Sequence, residues 1–405
     1  MKILHTSDWH LGKRLYNRDR LSEQQLILDE IHEIAEQQQV DAIVVAGDLF
    51  DVANPSNEAS ELFYKVLKKL SKDGKRPVIA IAGNHDSPQR IEAPDPLARE
   101  CGIVFLGYPT SKVTEFKLDS GFEILHAEAG FLELKLPGQA APLRIIATPY
   151  ASEIRMKQYL GFEEDQGLRN ALQKQWQTLA EKYCDNRGVN VAMAHLFVWN
   201  RETEPPEEPE GEKPVKVGNA SVVYADLFPE QMQYVALGHL HRSQAINGGK
   251  SPVFYCGSPL GYSFSEANQK KYVHVVDLEP GKDAGVEKVE LNNGREIKRK
   301  TFEQVDEAIK WLVENQDAFT EITMRTDDFL KADENKSLRD ASENLVNIIP
   351  EPKNRAASAQ NQKQIDMNQS VSDLFKKYFY HTHGQEPNNE MMEIFNEVLN
   401  QKSDQ

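Results

Sequence analysis

Five short segments of this chain end in groups that bind metal ions. Ser7-Asp8-Trp9-His10 follows the apolar run Lys2 to Thr6, and Gly47-Asp48 follows Asp41 to Ala46. Gly83-Asn84-His85-Asp86 follows Pro77 to Ala82, His195 follows Val189 to Ala194, and Gly238-His239-Leu240-His241 follows Gln233 to Leu237. Carboxylate, amide oxygen and imidazole without thiolate suit manganese, iron or zinc rather than copper or an iron–sulfur cluster. Asp8-x-His10 and His239-x-His241 each offer two donors two residues apart, which an extended backbone turns to one side. Seven donors over-supply one ion. Two ions sharing a bridging carboxylate fit the count, and such pairs, roughly 3.5–4 Å apart, hydrolyse phosphate esters by generating hydroxide and clamping the developing charge.

Positioning these groups needs elements of a particular kind. Each run has the length and β-branched content of a buried strand, and the intervening stretches read as helices, which predicts an α/β layered fold. Loops at the carboxyl ends of strands are where such folds hold their ligands. The glycines before Asp48, Asn84 and His239 let the backbone turn sharply and approach the site without a Cβ in the way.

Composition sets the outer bounds. The 405 residues suggest two or three domains, and 40% apolar with 27% charged residues is ordinary for a globular protein. No apolar run approaches the roughly 18 residues needed to span a bilayer. The N-terminus has no h-region of a signal peptide. Cys101, Cys184 and Cys256 lack zinc-site spacing, which fits a reducing cytoplasm. The net charge of −16 counts against nucleic-acid binding, since neutralising phosphates takes Lys and Arg. Bound divalent cations reverse the field locally, and a partner subunit could supply more positive charge.

The five motifs, in this order, resemble the calcineurin-like metallophosphoesterase superfamily. The stretches Ile3 to Gly12, Val44 to Asp51, Ala82 to Ser87, Ala236 to Arg242 and Tyr255 to Pro259 are similar, more narrowly, to its break-repair nuclease branch, the SbcD-type nuclease subunits of bacterial SbcCD complexes. The resemblance spans residue 1 to about 278 and continues weakly to the C-terminus. It implies a four-layered α/β/β/α core with a small α/β capping domain and a C-terminal helical tail. It assigns Asp8, His10 and His241 to one metal, Asn84, His195 and His239 to the other, and Asp48 to both, with Mn²⁺ the foremost candidate. His85 would face the scissile phosphate, a role suited to a side chain whose pKa lies near working pH. Asp51 stands where some archaeal relatives carry a second active-site histidine. Asp51 and Asp86 would either brace the ligands or cap the helices that follow.

The implied activity is hydrolysis of DNA phosphodiesters: 3′-to-5′ exonuclease action on duplex ends, single-strand endonuclease action and hairpin opening, in DNA repair, recombination and replication. ATP would be used by an SbcC-type SMC-like ATPase partner, since this chain has no phosphate-binding Gly-x-x-x-x-Gly-Lys-[Ser/Thr] loop. A homodimer within a heterotetramer, cytoplasmic and nucleoid-associated, is the implied assembly. Two alternatives stay open: a small-substrate phosphatase or cyclic-nucleotide phosphodiesterase on the same site, and a non-enzymatic scaffold.

The remaining histidines lack motifs, and His5 reads as a packed core residue. The loop Lys13-Arg14-Leu15-Tyr16-Asn17-Arg18-Asp19-Arg20 is basic with an interleaved tyrosine. Lys13, Arg14, Tyr16, Arg18 and Arg20 are therefore candidate DNA contacts, against the alternative of a plain solvated loop. The Pro/Glu run at 200–212 is too polar to pack and reads as an exposed loop. The turn Glu279 to Gly285 marks a boundary between the nuclease domain, 1–278, and the cap, 279–349, in which Phe302, Val305, Ile309 and Leu312 share a helix face. A polar linker, 350–369, precedes two short amphipathic helices in 370–405, which the resemblance makes the docking site for the ATPase.

Overall fold

The computed structural model describes residues 1–150, 165–204, 222–326 and 330–352, with scattered positions between 374 and 395. Among these, two sheets carry the N-terminal core. The first runs in the order Gly285–Leu291, Lys271–Asp277, Lys2–Thr6, Ala42–Ala46, Val78–Ile81, Ile103–Leu106. Its last four strands are parallel. The second runs Gln244–Ile246, Val253–Tyr255, Tyr234–Gly238, Val189–His195, Leu143–Thr148, Phe131–Lys135, Glu123–Glu128.

The central strands are covered on both faces, which is why they read as unbroken apolar runs rather than alternating ones. In Ala42–Ala46, Ala42 and Val44 face the second sheet, where they join Ile79, Ile145, Val191 and Ala236. Ile43 and Val45 face outward onto Ile27, Ile31, Phe63 and Leu67 of the helices Leu21–Gln37 and Asn57–Ser71. On the far side of the second sheet, Leu168, Leu172 and Trp176 of the helix Asp165–Tyr183 pack against Ala192, Ala194 and Val235. The layers are thus helix, sheet, sheet, helix, as the family resemblance implies.

Two boundaries differ from the sequence expectation. The Glu279 to Gly285 turn closes a β-hairpin rather than a domain: Gly285–Leu291 pairs antiparallel along the whole of Lys271–Asp277. A Pro/Gly turn signals a chain reversal, and reversals occur within sheets as readily as between domains. In the cap, Phe302 ends the strand Ile297–Phe302, and the helix begins only at Val305. That strand carries Lys298, Arg299 and Lys300 and lies at the edge of a parallel three-stranded sheet with Phe319–Thr326 and Leu345–Pro352. Charged residues are typical of an edge strand and hide its apolar alternation.

The three-stranded sheet packs on the N-terminal core through Leu15, Phe264, Ile297 and Phe319. In the tail, the Phe375 and Phe395 rings stack with centroids 3.9 Å apart, so the two amphipathic segments meet each other. The greater part of the Pro/Glu run, the linker and the tail lies outside the described residues. Among the described residues, no helix is long and apolar enough to cross a membrane.

Candidate metal centre

The candidate ligands converge where carboxyl ends of strands from the two sheets meet. The first two loops stay hydrogen-bonded beyond their strands: Asp8 N–H donates to Gly47 O (2.9 Å) and His10 N–H to Asp48 O (3.0 Å). His195 crosses between sheets, its Nδ1 2.9 Å from the Ala46 carbonyl. Gly47 adopts φ +92°, and a side chain there would run into the His195 ring. At Gly238 a Cβ would overlap the Ala46 carbonyl oxygen, so the two sheets approach this closely only with glycine.

Two buried donor groups result. Asp8, His10 and His241 form one, and Asp48, His195 and His239 the other. His10 Nε2 lies 3.0 Å from His241 Nε2. Asn84 Oδ1 completes the second group, 2.8 Å from His195 Nε2 and 3.3 Å from His239 Nδ1. Between the two stands Asp48. Its Oδ1 accepts the His85 N–H at 2.9 Å. Its Oδ2 is buried without a hydrogen bond, 3.3 Å from His195 Nε2 and 3.6 Å from His10 Nε2.

The electrostatics describe a place that lacks positive charge. Burial opposes ionisation of Asp48, yet the surrounding His195, His10 and His85 outweigh it and hold its pKa well below the usual carboxylate range. Burial likewise works against a charged His195, but Asp48 overcomes this and raises its pKa to about 9. Burial raises the Asp8 carboxyl. Two buried carboxylates, one with an oxygen lacking a donor, ringed by imidazoles and an amide, fit a pair of divalent cations.

Backbone strain marks the same spot. Asp8 (φ 53°), His10 (φ 43°), Asp48 (φ 50°) and His239 (φ 106°) all occupy the left-handed region. Such conformations persist where the surroundings over-determine them, which is typical of functional sites.

The other candidates fall around this centre. His85 is buried beside His10, ring centroids 4.8 Å apart, and its Nδ1 lies 2.6 Å from the Asp51 carbonyl oxygen. Asp51 therefore holds His85 through its backbone, while its carboxylate lies 3.3 Å from Lys13 Nζ. Asp86 caps no helix. Its carboxylate accepts the N–H groups of Leu49 (3.0 Å), Phe50 (3.0 Å) and Gly83 (2.7 Å), which ties the Asp48 loop to the Asn84 loop. His5 is a core residue, 2.8 Å from the Tyr234 hydroxyl.

The basic loop is exposed at Arg14, Tyr16 and Arg18, and several of its side chains also reach protein partners. Arg20 is buried, with its guanidinium on Glu23, the Gly261 carbonyl and the Phe319 ring, so it has no surface to offer a phosphate. Arg18 donates to the Glu343 carbonyl of the cap, and the Tyr16 hydroxyl to Glu321 at 3.3 Å. Arg14 is exposed, donating to the Asn17 carbonyl and lying 3.7 Å from the Asp19 carboxylate. Basic and aromatic composition is equally suited to phosphates and to a neighbouring domain's carbonyls and carboxylates.

Glu266 was not legible as a site residue. Its Oε1 lies 3.2 Å from His241 Nδ1, 25 positions earlier in the chain, and no motif spacing links them. Gln24 also escapes the motifs; its side chain accepts from Gly12 N–H (2.9 Å) and donates to His10 O (2.8 Å), holding the turn that carries His10.

Comparison with known proteins follows the same lines. Residues 1–243 match the family model described as calcineurin-like phosphoesterase. The chain is 37% identical over 404 residues to the SbcD component of the SbcCD nuclease of Bacillus subtilis, covering 98% of this chain and 97% of that protein. It is 34% identical to the same component from Rhodobacter capsulatus over 69% of this chain and 67% of that one. To its counterpart in Escherichia coli K12 it is 33% identical over 72% and 68%.

Proposed function

The chain belongs to the calcineurin-like phosphoesterase family, and from that premise we propose that it is the nuclease subunit of an SbcCD-type complex, hydrolysing DNA phosphodiesters at a two-metal centre. The observation that carries this reading is the position of Asp48 Oδ2, buried between the two donor groups and within 3.6 Å of a histidine from each.

Asp8, His10 and His241 would hold one ion, Asn84, His195 and His239 the other, and Asp48 both. Mn²⁺ suits this nitrogen and oxygen set. When bound, such a pair supplies an activated hydroxide and neutralises charge developing on the phosphate. The chain's own residues do the rest. The left-handed turns at Asp8, His10, Asp48 and His239 aim the donors of three of the five loops at one point. Asp86 locks two of those loops together, so the donors are preorganised. Accepted at the Asp51 carbonyl, the Nδ1–H of His85 turns Nε2 toward the phosphate, and in the imidazolium form Nε2 carries the second proton that passes to the leaving oxygen.

The substrate would be DNA ends and hairpins, cleaved with 3′-to-5′ exonuclease and single-strand endonuclease action, in repair, recombination and replication near the nucleoid. The cap would hold DNA over the ions, with Arg14 and Lys13 at the rim of the entry loop. The C-terminal segments joined by the Phe375–Phe395 stack would dock the ATPase, and two copies of the chain would complete a heterotetramer.

A Mn²⁺-dependent hairpin-cleavage assay, with and without the ATPase, tests the proposal. Wild type cleaves, and His85→Gln loses on the order of 10²–10⁴-fold in rate, the usual contribution of a positioned proton donor. Turnover of nitrophenyl phosphate with no hairpin cleavage would point instead to a small-substrate phosphatase.

A further inference from the structure

The geometry points to Glu266 as a positioning residue for one metal ion: it fixes the tautomer and the aim of His241 and so sets the affinity of the ion held with Asp8 and His10. The inference rests on the two-metal reading above and adds a residue outside its motifs.

The carboxylate sits at the end of the short helix Phe264–Glu266 and is buried. Oε1 lies 3.2 Å from His241 Nδ1 and accepts the Tyr262 N–H at 3.0 Å. Oε2 accepts from Lys271 Nζ at 2.5 Å. The same ammonium donates to the His241 carbonyl (3.1 Å) and to Ser258 Oγ (2.9 Å). Lys271 therefore neutralises the carboxylate and grips both Glu266 and the backbone of the residue it serves. The pair enters the interior without a net charge, the condition under which a buried carboxylate is tolerated.

An ionised carboxylate only accepts, so His241 Nδ1 carries the proton and donates it. Nε2 is then the lone-pair nitrogen, and it faces His10 Nε2 at 3.0 Å. Carboxylate–histidine–metal triads act in this way: the acceptor fixes ring orientation and raises ligand basicity. His195 obtains the same tautomer from the Ala46 carbonyl, a neutral acceptor. Glu266 touches a ligand of the group Asp8, His10 and His241, which makes the prediction specific to one ion.

The test is titration of the metal-free full chain with Mn²⁺ alone, by calorimetry and by electron paramagnetic resonance of the free ion. Wild type takes up two ions. In Glu266→Ala, affinity for one of the two falls about 10–100-fold, the usual cost of losing such an acceptor, while the other is unchanged. Glu266→Gln keeps an amide oxygen able to accept from Nδ1–H and recovers part of that affinity, and it guards against misfolding of the alanine variant. Hairpin cleavage by Glu266→Ala returns at saturating Mn²⁺. Two ions bound at wild-type affinity in both variants would overturn the role of Glu266, as would equal weakening of both ions. A wild type that binds two ions and cleaves no DNA would sink the nuclease reading and leave this inference standing.

Discussion

His195 and Asp48 come from different sheets, and their side chains meet with Nε2 and Oδ2 3.3 Å apart. That contact, together with the His195 bond to the Ala46 carbonyl, makes the centre a joint between the two halves of the core. Replacing the bridging oxygen should therefore cost both ions. Asp48→Asn keeps the shape and removes the charge. Cleavage should fall on the order of 10³-fold, about 4 kcal/mol of barrier, with weakened uptake of both ions in a Mn²⁺ titration. Unchanged affinity for either ion would detach Asp48 from it.

Asp86 gives a prediction about stability. Its carboxylate serves three backbone N–H groups, and burial together with the Asp48 charge raises its pKa to about 6. Asp86→Ala strands those donors, at about 2–4 kcal/mol in total, allowing for partial rescue by water. Asp86→Asn keeps one oxygen and should lose less. Urea midpoints at neutral pH measure both, and an alanine variant as stable as wild type would show that the loops hold without it.

The polar network between the sheets predicts a pH dependence. His274 is buried, 3.1 Å from the Tyr234 hydroxyl and 3.0 Å from Ser243 Oγ. Burial, with the Lys288 ammonium adding to it, lowers its pKa to about 3. Besides Lys288, the titratable groups facing it are His5, Tyr234 and Cys256. His5 is lowered in the same direction by burial and by His274. A depressed histidine pKa means that the unfolded chain binds a proton the folded chain refuses, so stability is full above about 6.5 and falls with pH below it. Each such histidine contributes a slope of about 1.4 kcal/mol per pH unit between 6.5 and its folded pKa. His274→Gln should make the decline between pH 6 and 4 shallower in urea titrations; an unchanged slope would mean that His274 is not the group concerned.

Cap docking depends on Phe319, which lies between the guanidiniums of Arg20 (5.2 Å) and Arg295 (4.8 Å) and packs with Leu15, Phe264 and Ile297. Phe319→Ala should destabilise the cap by about 3–5 kcal/mol, the usual cost of deleting a buried phenyl ring. Calorimetry should then show the cap melting ahead of the nuclease domain. A single transition at the wild-type temperature would mean that the ring adds little.

How much of this was visible in the sequence depends on whether a residue's environment leaves a local trace. The strands Lys2–Thr6, Ala42–Ala46, Val78–Ile81, Val189–His195 and Tyr234–Gly238 are legible because burial on both faces demands uninterrupted apolar side chains, and the polar residue that ends each run stands out against them. The edge strand Ile297–Phe302 is hidden by the lysines and arginine that keep it from pairing further. Arg20 misleads for a different reason: its charge is evident, but that it is buried on the Gly261 carbonyl and the Phe319 ring is decided by residues far along the chain. Glu266 leaves no trace because it meets His241 only through the folding of the Ser258 to Tyr262 turn. The left-handed backbone at Asp8, His10, Asp48 and His239 is similarly invisible, since aspartate and histidine are not marked for it as glycine is.

The central claim is that Asp48 Oδ2 lies between two ions. Crystals of the full chain soaked in Mn²⁺, with data collected at the manganese absorption edge, measure this directly. The account predicts two anomalous peaks roughly 3.5–4 Å apart, one within reach of Asp8, His10 and His241 and the other of Asn84, His195 and His239. A single peak, or none beside Asp48, would contradict it.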